Sequence, residues 1–170
     1  MVATARGDSD AFARLVQRHQ QLAWRIAYNY VGDRTEAEDL VQSAFLRIFG
    51  NAGGYQPTAR FTSFLRCVLS RLCIDWTERA APVYVPEMPS VGDPAPSASE
   101  RIVARERALT VQAALGRLPA TQRLAVVLRY YEELGYADIA AALDVTPKAV
   151  ERLLDRARKS LSTALAAMFD

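Results

Sequence analysis

Residues 134–154 read LGYADIAAALDVTPKAVERLL, and no other stretch of the chain is as informative. A short helix, a turn of about three residues and a capped longer helix make a helix-turn-helix pattern. Ala140 sits where a small residue lets the two helices cross closely. In such a motif the second helix enters the major groove and its first turns face base edges. Thr146 caps that helix, and its exposed positions are Lys148, Glu151, Arg152 and Asp155, followed by Arg156, Arg158 and Lys159. Arg152 has the chemistry to read guanine and Glu151 to accept from cytosine N4, while Lys148 and the later cations suit phosphates. An αα-hairpin with a solvated charged face has the same pattern, and the two acids weigh toward it. DNA binding is favoured from this stretch by a modest margin.

Two further stretches carry binding chemistry. In Glu36-Ala-Glu-Asp-Leu-Val-Gln-Ser-Ala-Phe-Leu-Arg-Ile-Phe49, burial of the apolar stripe leaves Glu38, Asp39, Gln42, Ser43 and Leu46 outside. An acidic helix start usually just complements the helix dipole; the sharper alternative is a face on which a partner docks. Downstream, Tyr55, Gln56, Arg60, Arg66, Arg71, Trp76 and Arg79 put cations among aromatics. That mixture suits single-stranded nucleic acid, whose bases stack on rings while phosphates meet Arg. Taken singly, Phe64 and Trp76 read better as core residues at helical spacing.

Catalytic and metal chemistry has few candidates. His19 is the only histidine and lies on an apolar helical stripe, where a core or half-buried role is the simpler one; Cys67 and Cys73 are the only cysteines. Six residues apart on one helix, the two thiols point about 120° apart, so a disulfide is not expected. A zinc site needs about four ligands at short spacing. No GxxxxGK, GxGxxG, HExxH or GxSxG occurs, and a Ser-His or Cys-His nucleophile pair has almost no members to draw on. No enzyme activity, cofactor or metal is expected.

The elements that must hold these residues are all helical. The chain has 170 residues, 51% of them hydrophobic and 24% charged, which suits a folded protein of one or two domains. Its longest apolar runs fall far below the roughly 20 residues of a membrane span, and the opening MVATARGDSD lacks a signal-peptide core; a cytoplasmic protein is expected. Five of the eight prolines fall within residues 81–100, APVYVPEMPSVGDPAPSASE, which carry three acids and no cation. Pro removes backbone donors and disfavours helix before it, so this stretch is expected to be an extended acidic linker between domains 1–80 and 101–170. The flanking segments are mildly basic, at +2 and +3, and Arg supplies 19 of the 21 cations. No internal repeat is present.

In the first domain, Asp8 or Ser9 caps a helix with Phe12, Leu15, Val16, Leu22, Ala23, Ile26 and Tyr30 inward, and Gly32 ends it. Asp33-Arg-Thr-Glu36 opens a second as a capping-box variant, burying Ala37, Leu40, Val41, Ala44, Phe45, Ile48 and Phe49. A loop over 50–60 leads to a third, which buries Phe61, Phe64, Leu65, Val68, Leu69, Leu72 and Trp76. In the second domain four helices are expected: about 99–116 with Ile102, Ala108, Leu109, Val111 and Leu115 inward; one opening at Leu118-Pro119 with Leu124, Val127, Leu128 and Tyr131 inward; about 136–143; and one opened by Pro147 with Val150, Leu153, Leu154, Ala157, Leu161 and Leu165 inward.

In order along the chain stand Gly7-Asp-Ser-Asp-Ala-Phe12, Ala37-Glu-Asp-Leu-Val-Gln-Ser-Ala-Phe-Leu-Arg47, Phe61-Thr-Ser-Phe-Leu-Arg66 with Ile74-Asp75, and Leu118-Pro119 to Arg123; then come Leu128-Arg-Tyr-Tyr-Glu-Glu-Leu134, Asp138-Ile-Ala140, Val150 and Arg156-Ala-Arg158. From about Gly7 to Leu165 the chain resembles the extracytoplasmic-function (ECF) group of bacterial RNA polymerase sigma factors, with a fainter resemblance to the sigma factor of cobalt–nickel resistance operons. The resemblance implies a two-domain, all-α protein: sigma region 2 over 1–80 and a region 4 helix-turn-helix over 101–170. It implies that Glu38, Asp39, Gln42, Ser43 and Leu46 dock on core RNA polymerase. Tyr55, Gln56, Arg60, Arg66 and Arg71 would open promoter DNA at the −10 element and hold an extruded base. Thr146, Lys148, Glu151, Arg152, Arg156 and Lys159 would read the −35 element.

The linker would thread the polymerase's RNA-exit region, where its negative charge suits a channel built for a polyanion. Implied partners are core polymerase, promoter DNA and an anti-sigma factor, membrane-anchored in the family's common manner, holding the factor inactive until a stress or metal signal. The chain departs from the family's pattern at Phe64 (usually Trp), Ser70-Arg71 (often Arg-Asn), Thr77-Glu78-Arg79 (a basic run), Glu151 and Asp155 (often Lys and His), and Asp144 (a turn glycine). An autonomous helix-turn-helix regulator, and a helical adaptor with no nucleic-acid role, are the alternatives.

Overall fold

The computed structural model describes residues 1–5, 8–54, 60–79 and 98–169. These residues form helices and no strand, so the expected all-α class is what is observed. A one-turn α1 (Val2–Ala5) precedes α2 (Ser9–Val31), α3 (Arg34–Gly50), a 3-10 turn (Ala52–Gly54) and α4 (Phe61–Arg79). After the Pro-rich stretch come α5 (Ala98–Gly116), α6 (Ala120–Val126), a π turn (Val127–Tyr131), α7 (Tyr136–Leu143) and α8 (Pro147–Phe169). Most of the expected linker, 81–97, and the loop residues 55–59 lie outside the described residues.

The caps fall where side-chain chemistry puts them. Asp8 Oδ1 accepts the Ala11 amide at 2.8 Å, and Asp33 Oδ1 accepts that of Glu36 at 2.9 Å. The reciprocal half of a capping box at Asp33 is not made, because the Glu36 carboxylate instead accepts Trp76 Nε1–H at 2.6 Å. Gly32, at φ 77°, closes α2 with its amide on the Tyr28 carbonyl at 2.8 Å. Pro119 is the cap of α6 rather than its first residue, a shift of one position.

The buried stripes match with three exceptions. Phe49 is 48% and Val111 39% exposed, and Tyr131 is 41% exposed although expected inward. At Tyr131 the cause is the π turn, which inserts a residue into the helical register after Val126 and rotates the residues beyond it. The side chain of Ile102 lies outside the described residues. From Arg123 to Leu128 every residue is buried, making α6 the central rod of the second unit.

The two helical units share a core. Ile26, Tyr30, Ile48, Leu65 and Leu69 of the first belong to one buried cluster with Leu124, Leu128, Ile139, Val150 and Leu154 of the second. Both α6 and α7 lie against α4, and the π turn lies against α2.

Candidate nucleic-acid interface

The turn between α7 and α8 is built by three residues in succession. Asp144 adopts φ 56°, ψ 48°, the left-handed conformation that Asp tolerates better than most residues, and its amide bonds the Ala140 carbonyl. The Val145 amide returns to the same Ala140 carbonyl at 3.0 Å. Thr146 Oγ1 then accepts the Ala149 amide at 3.2 Å, so Thr146 caps α8 and its hydroxyl is spent on the backbone. Ile139, Ala140, Val150, Leu154 and Ala157 close the buried side of the motif.

The outer side of α8 carries the expected charges. Lys148, Glu151, Arg152, Asp155, Arg156, Arg158 and Lys159 are all exposed. Arg158 pairs with Asp155, which removes one of the two acids from play. Lys148, Arg152, Arg156 and Lys159 make no ion pair among the described residues and lie within one broad helical arc. Four unneutralised cations along one face suit a phosphate-lined groove.

On α3, Glu38, Asp39, Gln42 and Leu46 are exposed and Ser43 is half-buried, while Ala37, Leu40, Ala44 and Ile48 are buried behind them. Leu46, at 63% exposure, crowns a ridge with a hollow on each side. One hollow is apolar, lined by Phe12, Val16, Trp24, Val41 and Phe45; the other is mixed, lined by Asp39, Ser43, Arg47, Asp75 and Trp76. Glu38 is held by Arg34 at 2.9 Å, which leaves Asp39 the ridge's freer carboxylate.

The α4 candidates are less uniform. Arg60 and Arg71 are exposed and Arg66 is half-buried, its Nε without a partner among the described residues. Tyr55 and Gln56 lie outside the described residues. Trp76 is structural: half-buried, edge-on to Tyr30 and bonded to Glu36. Arg79 and Arg47 both approach Asp75, at 3.9 and 3.8 Å. His19 is half-buried 5.0 Å from the Phe61 ring, and burial, with Arg18 nearby, lowers its pKa. Cys67 and Cys73 are both free thiols, and burial raises the pKa of each.

Four residues with defined partners were not singled out by sequence. Arg25 of α2 makes a two-pronged bond to Glu132, with Nε and Nη2 donating to its two carboxylate oxygens at 3.1 and 3.0 Å. Arg123 is 5% exposed and lies over Tyr30. Arg129 covers the Tyr136 ring and donates to the Leu134 carbonyl at 2.9 Å, bracing the entry to α7. Contacts joining residues so far apart in the chain leave no periodic signal.

Comparison with known proteins gives matches along nearly the whole length. A model of sigma-70 region 2 matches residues 15–82, and one of sigma-70 region 4 matches 108–161. The ECF RNA polymerase sigma factor SigM of Mycobacterium tuberculosis is 33% identical over 165 residues, covering 97% of this chain and 82% of that one. The ECF RNA polymerase sigma factor SigW of Bacillus subtilis is 28% identical over 171 residues, covering 94% and 91%. Among solved structures, CnrH in complex with the cytosolic domain of CnrY superimposes with a TM-score of 0.70 at 25% identity, covering 97% of this chain and 94% of that one.

Proposed function

Since the chain belongs to the ECF RNA polymerase sigma factors, we propose a division of labour among its helices. The α3 ridge of Glu38, Asp39, Gln42, Ser43 and Leu46 docks on core polymerase. Arg60, Arg66 and Arg71 of α4 and its leading loop, with Tyr55 and Gln56, take the −10 strand. Lys148, Glu151, Arg152, Arg156 and Lys159 on α8 meet the −35 duplex, with Thr146 holding the helix start. The domain boundaries follow the same division, with region 2 over 1–80 and region 4 over 101–170.

The observation that carries this is the exposed face of α8, where four cations stand without acidic partners among the described residues behind a formed helix-turn-helix. Because the polymerase supplies much of the nonspecific phosphate contact, neither unit has to be strongly basic. The chain takes no catalytic step of its own on this reading and acts in the cytoplasm. CnrH is seen with the cytosolic domain of CnrY; a comparable anti-sigma partner, released by a stress or metal signal, is the corresponding inhibitor here.

The test is co-purification with bacterial core RNA polymerase followed by transcription on genomic fragments. A stable complex with new, defined start sites is the expected result. Tight duplex binding by the free chain, without polymerase binding, would establish the autonomous regulator instead.

A further inference from the structure

We infer that α4 presents a shared surface, covered by the chain's own helix-turn-helix unit until that unit moves away and a promoter strand takes its place. The inference rests on the assignment of α4 to strand capture. Cys67, Ser70 and Arg71 fall on one face of α4 by helical spacing. Against that face Cys67 Sγ donates to the Ala141 carbonyl at 3.1 Å, and Arg71 Nη2 lies 4.0 Å from Asp144 Oδ2. A strand laid along the same face would collide with α7.

The contact has the chemistry of one built to part. Ser70 is 1% exposed and its hydroxyl has no partner among the described residues. Arg123 donates one bond to the Gly116 carbonyl, but its Nε is unmet and no carboxylate pairs with it among the described residues. Buried polar groups left in this condition regain hydration when the surfaces separate, so opening is opposed less than it would be by an apolar seam. What holds the seam shut is specific: the Arg25–Glu132 pair ties α2 to the end of the π turn, with the Glu132 side chain 2% exposed. The α8 cations meanwhile remain exposed. The closed chain therefore keeps its duplex-reading face free while covering its strand-capturing one.

The test compares the full-length wild type with Arg25→Ala and Glu132→Ala, which change net charge in opposite directions. Small-angle scattering reads the radius of gyration, and fluorescence anisotropy reads binding of a mixed-sequence single-stranded oligonucleotide. Both variants are expected to expand the chain and to tighten strand binding by roughly tenfold. The reversed pair, Arg25→Glu with Glu132→Arg, is expected to return both readings toward wild type and shows that the variants still fold. Unchanged dimensions, or strand affinities that move in opposite directions with charge alone, would overturn the inference. Initiation by the wild type with core polymerase, measured in parallel, separates the two claims. If initiation is absent, the assignment of α4 fails; if it is present and the expanded variants gain no strand binding, the masking fails alone.

Discussion

The Arg123 guanidinium carbon stands 5.1 Å from the centroid of the Tyr30 ring, bringing a cation of α6 onto an aromatic of α2. Thr77 Oγ1 donates its only proton to the Cys73 carbonyl at 3.2 Å, so at 2.6 Å it must accept the Tyr30 hydroxyl proton. Tyr30 is thereby fixed as a donor, and burial pushes its pKa up to about 12 despite the nearby Arg123.

This gives the first prediction. The folded chain favours neutral Tyr30, so the associated stability is fully present below the ordinary value of 10.0 and is lost as pH rises toward about 12. Two units correspond to about 3 kcal/mol. Cys73, pushed from 9.0 up to about 12 by complete burial, acts in the same direction. Tyr30→Phe should cost about 1 kcal/mol near neutral pH and flatten the alkaline loss, as read by urea unfolding across the alkaline range.

Asp144 supplies the second. Its left-handed backbone is strained for any residue with a Cβ, and its contact with Arg71 is long and exposed, with 90% of the Asp144 side chain accessible. Asp144→Gly is expected to be neutral or stabilising by up to about 1 kcal/mol, and Asp144→Val to cost about 1–2 kcal/mol. Thermal unfolding of the two variants checks the ordering.

The α3 ridge supplies the third. Asp39→Arg and Leu46→Asp change exposed side chains, so the unfolding free energy should move by no more than about 0.5 kcal/mol. Core-polymerase affinity should fall at least about tenfold, or roughly 1.4 kcal/mol, for each. Surface-immobilised core polymerase gives both constants, and unchanged affinity would remove this face from the docking site.

For α8, Arg152→Ala should lower discrimination between promoter sequences by about 1–3 kcal/mol, while Lys148→Ala should weaken all sequences alike and reduce the salt slope by about one. Titrations of the polymerase complex against promoter variants at two salt concentrations distinguish the roles. A uniform loss at Arg152 would make it a phosphate contact.

Helix existence was legible because each stripe repeats at three- and four-residue steps, and the ends were legible because Asp33, Gly32 and Thr146 each satisfy a particular backbone group. Exposure of Lys148, Arg152 and Asp39 came from the same periodicity. Tyr131 was misplaced because a π turn changes the period without any residue type that marks it. The pairing of Arg25 with Glu132 was invisible for another reason: charge complementarity between two segments does not say which cation meets which acid. Phe49 illustrates a third limit, since a large apolar residue at the edge of a stripe can stack on Phe12 and still remain half in solvent.

The π turn makes the spacing between Pro119 and Gly135 a counted quantity. Glu132 closes the turn through its amide on the Val127 carbonyl at 3.3 Å, and Glu133 takes the left-handed step at φ 53° that starts the path to α7. Loss of one residue here would restore ordinary helical winding and turn everything beyond by about 100°. Glu132 would then face away from Arg25 and the α7–α8 unit would point elsewhere. Among lineages of this chain, substitutions across Val127–Tyr131 are therefore far more survivable than a change of a single residue in its length.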